Sequence, residues 1–211
     1  ASGAATRMFQ DLLALLDAER GRDPAIALDL LRELPRLPFR EPLREALERS
    51  GQDLDELVAG GAFLEVLEAL VGSVGLGYAS MPKGLLPFHA YRGEVRTAFE
   101  EHLVEAAATV RGADGTCRVH LTVSPEHLNR FRETLASVRP RYERRLGARL
   151  DVSFSLQRPS TDTLSVDGEG RPQRDERGQL LLRPSGHGAL IENLSDLGGD
   201  VVLIKNIDNI Q

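Results

Sequence analysis

Four short stretches of the sequence combine residue types that could hold a phosphorylated ligand. They are "SGAATRM" at 2–8, "MPKGLLPFH" at 81–89, "RPSGHGALIENL" at 183–194 and "VVLIKNIDNI" at 201–210. Small residues let the backbone approach a ligand closely, Lys and Arg offset phosphate charge, and a carboxylate can hold a divalent cation. These residue types therefore point to phosphate chemistry.

The first two stretches offer positive charge. Small residues at 3–5 precede a helix start, whose free N–H groups favour anions, and Arg7 adds a fixed charge there. Lys83 lies between a proline and a glycine in a stiffened segment that suits a phosphate. An ordinary loop before a helix and a solvated lysine are the alternative interpretations.

The other two stretches offer a close turn and a carboxylate. Glycines on both sides of His187 favour the close approach of a flat or phosphorylated ligand, although a simple tight turn is the rival interpretation. Asp208 follows an apolar strand pattern, and a carboxylate at the tip of a buried parallel strand is well placed to hold Mg²⁺. The alternative interpretation is that Asp208 caps a loop at the end of the strand.

Charge and composition exclude several classes of function. The 211-residue chain has a net charge of −6, which argues against broad binding to nucleic acid or anionic membranes. Cys117 is the single cysteine, so neither an intrachain disulfide nor a cysteine-based zinc site can form, and a reducing, cytoplasmic location is expected. No stretch approaches the roughly 20 apolar residues of a membrane span.

The spacing of apolar residues predicts two kinds of organisation along the chain. From 8 to 71 it is helical, which predicts four or five short helices. Beyond Gly93 it predicts alternating helices and strands, which favours a mostly parallel sheet with ligands at the carboxyl ends of its strands. We therefore expect the four stretches to converge on one cleft.

The predicted elements after Gly93 begin with a helix at 94–110. They continue with the strand "CRVHLTV", a helix in "SPEHLNRFRETLASV" with Ser124 as its N-cap, the strand "LDVSFSLQ", a glycine-turn hairpin, the helix "GALIENLSDLGG" and a buried strand "DVVLIKNIDN".

In this order, the four stretches resemble motifs of nucleotidyltransferases of the sugar-nucleotide pyrophosphorylase type. "SGAATRM" resembles their G-x-G-T-R-M phosphate loop, "MPKGLLPF" their P-K-x-L-L-P segment, and "SFSLQRP" weakly their F-x-Q segment. "PSGHGAL" is similar to the glycine-rich base-side loop of UDP-sugar pyrophosphorylases, and "KNIDN" to their N-x-D-N metal strand. Residues 78–211 resemble still more closely an uncharacterised bacterial family of this superfamily, whose members carry a helical insert.

The resemblance implies a Rossmann-like α/β core at 1–8 and 78–211, incomplete at both ends, with an all-helical insert at 9–77. It implies the Mg²⁺-dependent joining of an NTP, with UTP favoured, to a sugar 1-phosphate, and release of pyrophosphate. The implied phosphate-site residues are Arg7 and Lys83, the implied metal ligand is Asp208, and the implied nucleotide-binding residues are Gly3, Ala4, Ala5, Thr6, Gln157, Gly186, His187 and Gly188.

Two departures from the family pattern separate this chain from a typical member. Ala5 replaces the usual second loop glycine, and Ala189 replaces the usual aspartate after Gly-His-Gly. A non-catalytic module that binds a nucleotide, or a partner through the helical insert, is one alternative function. A glycosyltransferase that uses a nucleotide sugar is another.

Overall fold

A computed structural model describes residues 5, 8–17, 32–183 and 185–207 of the chain. The described residues of Gly3–Glu105, together with Ile207, form one compact unit, and those of Ala106–Asn206 form a second. We call them the N-terminal and C-terminal units. Helices, small sheets and one parallel strand pair make this a mixed α/β protein.

Helices build most of the N-terminal unit, as the apolar spacing predicts. They are α1 (Gln10–Asp17), α2 (Arg40–Arg49), α3 (Leu54–Ala59) and α4 (Phe63–Val71). Asp53 caps α3, since its carboxylate accepts hydrogen bonds from the backbone N–H groups of Asp55 and Glu56. Residues 18–31 of the predicted helical stretch lie outside the described residues.

One apolar core joins these helices to the segment that follows them. Leu43 from α2 and Leu70 from α4 are fully buried, and they share the core with Tyr78 and Leu86. The ring of Phe39 meets that of Tyr78 edge to face, with 5.9 Å between centroids. Residues 78–88, which include Lys83, are therefore fixed by the same core as the helices.

A short hairpin replaces the beginning of the helix predicted at 94–110. Strands β1 (His89–Tyr91) and β2 (Glu94–Arg96) pair antiparallel around Gly93, whose φ is +79°. Helix α5 (Ala98–Thr109) begins only afterwards. Thr97 and Glu100 exchange side-chain-to-backbone hydrogen bonds in a capping box, which accounts for this start.

A parallel pair of strands organises the C-terminal unit. Strands β3 (Thr116–Val123) and β4 (Arg149–Leu156) pair in parallel over their full length, joined by the long helix α6 (Leu128–Leu146). All three elements were predicted. Ser124, the predicted N-cap, makes no capping hydrogen bond, and a 3-10 turn at Pro125–His127 comes between it and α6.

Helices lie on opposite faces of this strand pair. Phe131 of α6 packs against Phe154 of β4, with ring centroids 6.2 Å apart. The next residue of β4, Ser155, points to the other face because side chains alternate along a strand. There it accepts a hydrogen bond from Asn193 of the short helix α7 (Ile191–Ser195). The arrangement within this unit is helix, sheet, helix.

The predicted glycine-turn hairpin is a meander between β5 (Thr163–Leu164) and β6 (Leu182–Arg183). Its two turns are alike, since the carboxylates of Asp167 and Asp175 each accept two backbone hydrogen bonds, all of 2.9 Å. The backbones of Ser165, Gln173 and Leu181 form a closed ring, in which each bonds to the other two, at 2.8–2.9 Å.

The strand predicted at "DVVLIKNIDN" is not formed between residues 200 and 207, the part of it that the structure describes. Its apolar side chains are exposed rather than buried, with Val201 85% and Ile204 72% accessible. A strand needs a neighbour for its backbone hydrogen bonds, and no described strand pairs with this segment. The apolar composition of the segment does not by itself provide a neighbouring strand.

Within the described ranges, none of the helices has both the length and the apolar character needed to cross a membrane.

Candidate functional site

The opening loop contacts the Pro-Lys segment through Ala5, the one residue of 1–7 that the structure describes. Ala5 is fully buried, and its backbone N–H donates a 2.8 Å hydrogen bond to the carbonyl of Met81. The Ala5 carbonyl in turn accepts from the N–H of Met8, also at 2.8 Å, which begins the turn toward α1. Two stretches that are more than 70 positions apart in sequence are therefore adjacent in the N-terminal unit.

Lys83 lies two residues beyond this contact. It begins a 3-10 turn at Lys83–Leu85, directly after a proline held at φ −68°. Gly84 and Leu85 are buried, so the turn is anchored by its neighbours while the Lys83 side chain is only half-buried. A cation on such an anchored turn is well suited to meet an anionic ligand group.

Gln157 follows β4 immediately, at the carboxyl end of the parallel pair. The Gln157 amide nitrogen Nε2 is buried and has no hydrogen-bond partner among the described residues. A buried donor without a partner costs stability, and such groups call for an explanation such as an unseen ligand or water. This is the position at which parallel sheets bind ligands.

The Gly-His-Gly turn keeps its glycines open to solvent. Gly186 and Gly188 are exposed, and a Cβ added at either would meet nothing within 4 Å. The backbone of His187 begins a 3-10 turn that runs directly into α7. No contact with the described residues therefore demands glycine at 186 or 188, which leaves room for another molecule to approach.

Asn193 is a polar residue of this region that the sequence pattern did not single out. It is 5% exposed, and its Nδ2 donates 2.9 Å hydrogen bonds to Ser155 Oγ and to the carbonyl of Leu156. These are the last two residues of β4. The contacts join α7, and the turn before it, to the strand end that carries Gln157.

His120 belongs to a second group of polar side chains, on the α7 face of the parallel pair, that the sequence analysis did not identify. Its two ring nitrogens each lie 2.8 Å from a serine hydroxyl, Ser153 on one side and Ser155 on the other. Burial lowers the pKa of His120, which favours the neutral ring. The available signal was the period-2 alternation, which puts 120 on the face opposite the apolar one.

Several predicted site residues lie outside the described residues. They are Gly3, Ala4, Thr6, Arg7 and Asp208. Among the residues that the structure does describe, no group of three or more His, Cys, Asp or Glu side chains is arranged to hold a metal. The described site residues thus fall into two sets, Ala5 and Lys83 in one unit and Gln157 with the 186–188 turn in the other.

Comparison with known proteins gives a family but no named relative. A family model described as "Domain of unknown function (DUF4301)" matches residues 1–211. Searches of curated proteins and of solved structures found no match. Because the family match covers every residue of the sequence, the chain belongs to the DUF4301 family.

Proposed function

We propose that this protein is a nucleotidyltransferase with a Rossmann-like core that acts in the cytoplasm. It joins an NTP, with UTP as the favoured substrate, to a sugar 1-phosphate and releases pyrophosphate. Lys83 and Arg7 meet the phosphates, while Gln157 and the turn at 186–188 face the base and ribose.

The contact between Ala5 and Met81 is the observation that carries this proposal. The motif resemblance requires the small-residue loop and the Pro-Lys segment to work together, although the helices of 9–77 separate them in sequence. The 2.8 Å hydrogen bond from Ala5 N–H to Met81 O brings the two together in the folded chain. That adjacency is what a shared phosphate site needs.

The C-terminal unit supports the proposal independently. Its parallel strands carry helices on both faces, which is the layering of a doubly wound sheet. Gln157 follows the carboxyl end of β4, and Asn193 hydrogen-bonds α7 to that same end. In sheets of this kind, ligands bind at the carboxyl ends of the strands.

The proposed reaction requires little acid–base catalysis by the protein. An oxygen of the sugar phosphate attacks the α-phosphorus of the NTP, and the bond from that phosphorus to the pyrophosphate leaving group breaks. The chain's task is to orient the two reactants in line and to offset their charge with cations such as Lys83.

Magnesium fits this proposal through few protein ligands. Mg²⁺ on nucleotides is commonly held by one or two carboxylates, with substrate phosphates and water completing the shell, so a cluster of three acidic side chains is not required. Asp208 is the proposed ligand. The bound cation would supply charge neutralisation at the reacting phosphates.

The test is pyrophosphate release by the protein expressed from its complete open reading frame, with a panel of NTPs and sugar 1-phosphates at saturating Mg²⁺. Release that needs both substrates supports the proposal. NTP binding without release would favour the non-catalytic module instead, and consumption of a nucleotide sugar would favour a glycosyltransferase.

An Asp208→Asn variant tests the metal ligand. The amide keeps the shape of the side chain but loses its charge, so we expect the rate of pyrophosphate release to fall about a hundredfold. Turnover equal to that of the parent protein at limiting Mg²⁺ would refute the role of Asp208.

A further inference from the structure

Asn193 is held in one orientation by its two hydrogen bonds to β4. The carbonyl of Leu156 can only accept, so the atom that faces it must be the amide nitrogen Nδ2. The same nitrogen donates to Ser155 Oγ at 2.9 Å. This fixes Oδ1 on the other side, where it is buried and has no hydrogen-bond partner among the described residues.

This arrangement would be unfavourable if Asn193 served only to fill space in the core. A buried acceptor without a partner reduces stability, whereas an apolar side chain of similar volume would fill the position without that cost. An apolar residue, however, could not donate hydrogen bonds to the end of β4. The two hydrogen bonds from Nδ2 are therefore the property that distinguishes asparagine at this position.

The position of Asn193 also sets the position of the Gly-His-Gly turn. The 3-10 turn at His187–Leu190 continues without a break into α7, and the N–H of Ala189 bonds to the carbonyl of Gly186 at 3.0 Å. The exposed glycines provide little packing of their own. A tether at 193 therefore fixes the segment from Gly186 onward relative to β4.

Arg158 makes a second tether between the same two elements. It follows Gln157 directly, and its guanidinium contacts Glu192 at 2.8 Å and Asp196 at 2.5 Å, on either side of Asn193. This ion-pair group is about half exposed, so salt should weaken it. Asn193, in contrast, is buried and insensitive to screening.

We propose that Asn193 is a positioning residue that, with Arg158, sets the Gly186–Gly188 turn against Gln157 for nucleotide binding. The inference rests on the proposed function, in which the turn and Gln157 face the base and ribose. In that function these residues face the base and ribose, whereas other residues meet the reacting phosphates. Losing the tether should therefore weaken substrate binding and leave the chemical step largely unchanged.

The experiment compares three variants with the parent protein. Asn193→Leu keeps the branched shape of the side chain and removes both N–H donors. Asn193→Asp also keeps this shape but places a carboxylate against the Leu156 carbonyl. Ser195→Ala is the matched control, because among the described residues the Ser195 hydroxyl donates only to the carbonyl of Ile191 within α7. Each is measured by amide hydrogen exchange over 185–197 and by kcat and KM for the NTP.

In Asn193→Leu we expect exchange at 186–191 to be about tenfold faster and KM for the NTP about tenfold higher, with kcat within about twofold of the parent. In Asn193→Asp, KM should recover as the pH falls, because a protonated carboxyl can again donate to Leu156. Ser195→Ala should match the parent in every measurement.

Two results would overturn the inference. Unchanged exchange at 186–191 in Asn193→Leu would show that there is no tether, and faster exchange with an unchanged KM would show that the tether does not serve the nucleotide. If the parent protein neither binds an NTP nor releases pyrophosphate, the proposed function fails and the nucleotide role of Asn193 fails with it. In that case hydrogen exchange still tests whether the tether exists. Faster exchange at 186–191 in Asn193→Leu supports the tether, and unchanged exchange refutes it.

Discussion

The imidazole Nε2 of His120 lies 2.8 Å from the hydroxyl of Ser155 on the neighbouring parallel strand. The Ser155 oxygen also accepts a hydrogen from Asn193 Nδ2, and Thr122 Oγ1 lies 3.1 Å away. In neutral His120 one ring nitrogen donates a hydrogen bond and the other accepts one, so the ring can satisfy both Ser153 and Ser155. Protonation would make both nitrogens donors, and the serine hydroxyl that donates to the neutral ring would have to reorient.

The stability of the protein should therefore depend on pH in the acidic range. Burial lowers the pKa of His120 from its ordinary 6.5, so the unfolded chain takes up a proton first as the pH falls below that value. The free energy of unfolding then decreases with falling pH until the folded state is protonated too. Urea denaturation at a series of pH values measures this slope.

A His120→Gln variant should show a shallower slope than the parent protein. The slope should not vanish, because burial also lowers the pKa of His127. Identical pH dependence in the variant and the parent would mean that His120 does not contribute.

Tyr78 should give a separate signal in the alkaline range. Burial beside Phe9 and Phe39 raises the pKa of Tyr78 to about 12. The unfolded chain loses this proton near the ordinary 10.0, so stability should fall as the pH rises from there toward 12. In Tyr78→Phe, both that loss of stability and the contribution of Tyr78 to the tyrosine absorbance titration near pH 12 should disappear. A variant that titrates like the parent protein at every pH would contradict this.

Gly75 should tolerate no side chain. A Cβ at this position would lie 1.8 Å from the carbonyl oxygen of Ala69, so the backbone after α4 would have to move. We expect Gly75→Ala to reduce the free energy of unfolding by about 3 kcal/mol. Gly168→Ala is the control, since a Cβ there meets nothing within 4 Å. Equal denaturation midpoints for the two variants would disprove the clash.

Arg96 joins a buried charge group whose loss should be costly. Its guanidinium lies 3.2 Å from Glu101 and 2.7 Å from Glu94, and the side chains of Arg96 and Glu101 are 7% and 5% exposed. Arg96→Met leaves the Glu101 carboxylate without this partner and should reduce stability by about 3–5 kcal/mol.

The matching double variant separates charge from packing. Removing both charges, in Arg96→Met with Glu101→Leu, should restore most of the lost stability, because the more deeply buried carboxylate of the group, that of Glu101, is removed together with its partner. Arg36→Ala, which breaks an exposed pair with Glu33, should change little. If the stability changes of Arg96→Met and of Glu101→Leu, each measured alone, simply add in the double variant, the two side chains are not coupled.

The sequence predicted those elements whose apolar pattern is long enough to read. β3, β4 and α6 each carry a sustained period of 2 or 3.6. The bounds of the two strands lie within one residue of the predicted ones, whereas α6 begins later than predicted and extends beyond the predicted end at 138 to Leu146. The hairpin at 89–96 was missed because its three-residue strands are too short to show a period. Thr97 and Glu100, at capping-box spacing, were the signal that could have placed the start of α5 correctly.

Contacts between distant residues account for what the sequence could not show. Asn193 looked like one polar position in a short helix, and its bonds to Ser155 and Leu156 arise only once α7 packs on β4. The segment at 201–204 was expected to be buried because it is apolar. Burial depends on a neighbouring element, and composition does not reveal whether one is present.

The meander between β5 and β6 begins and ends at a single place. Thr163 and Arg183 are direct cross-strand partners, so the chain leaves and returns within about one strand spacing, roughly 5 Å. An excursion whose ends already meet can lengthen, shorten or disappear during evolution, while the segments before and after it keep their positions. Differences in length among related sequences should therefore accumulate between these two residues, and this is where a tag or a second domain could be grafted.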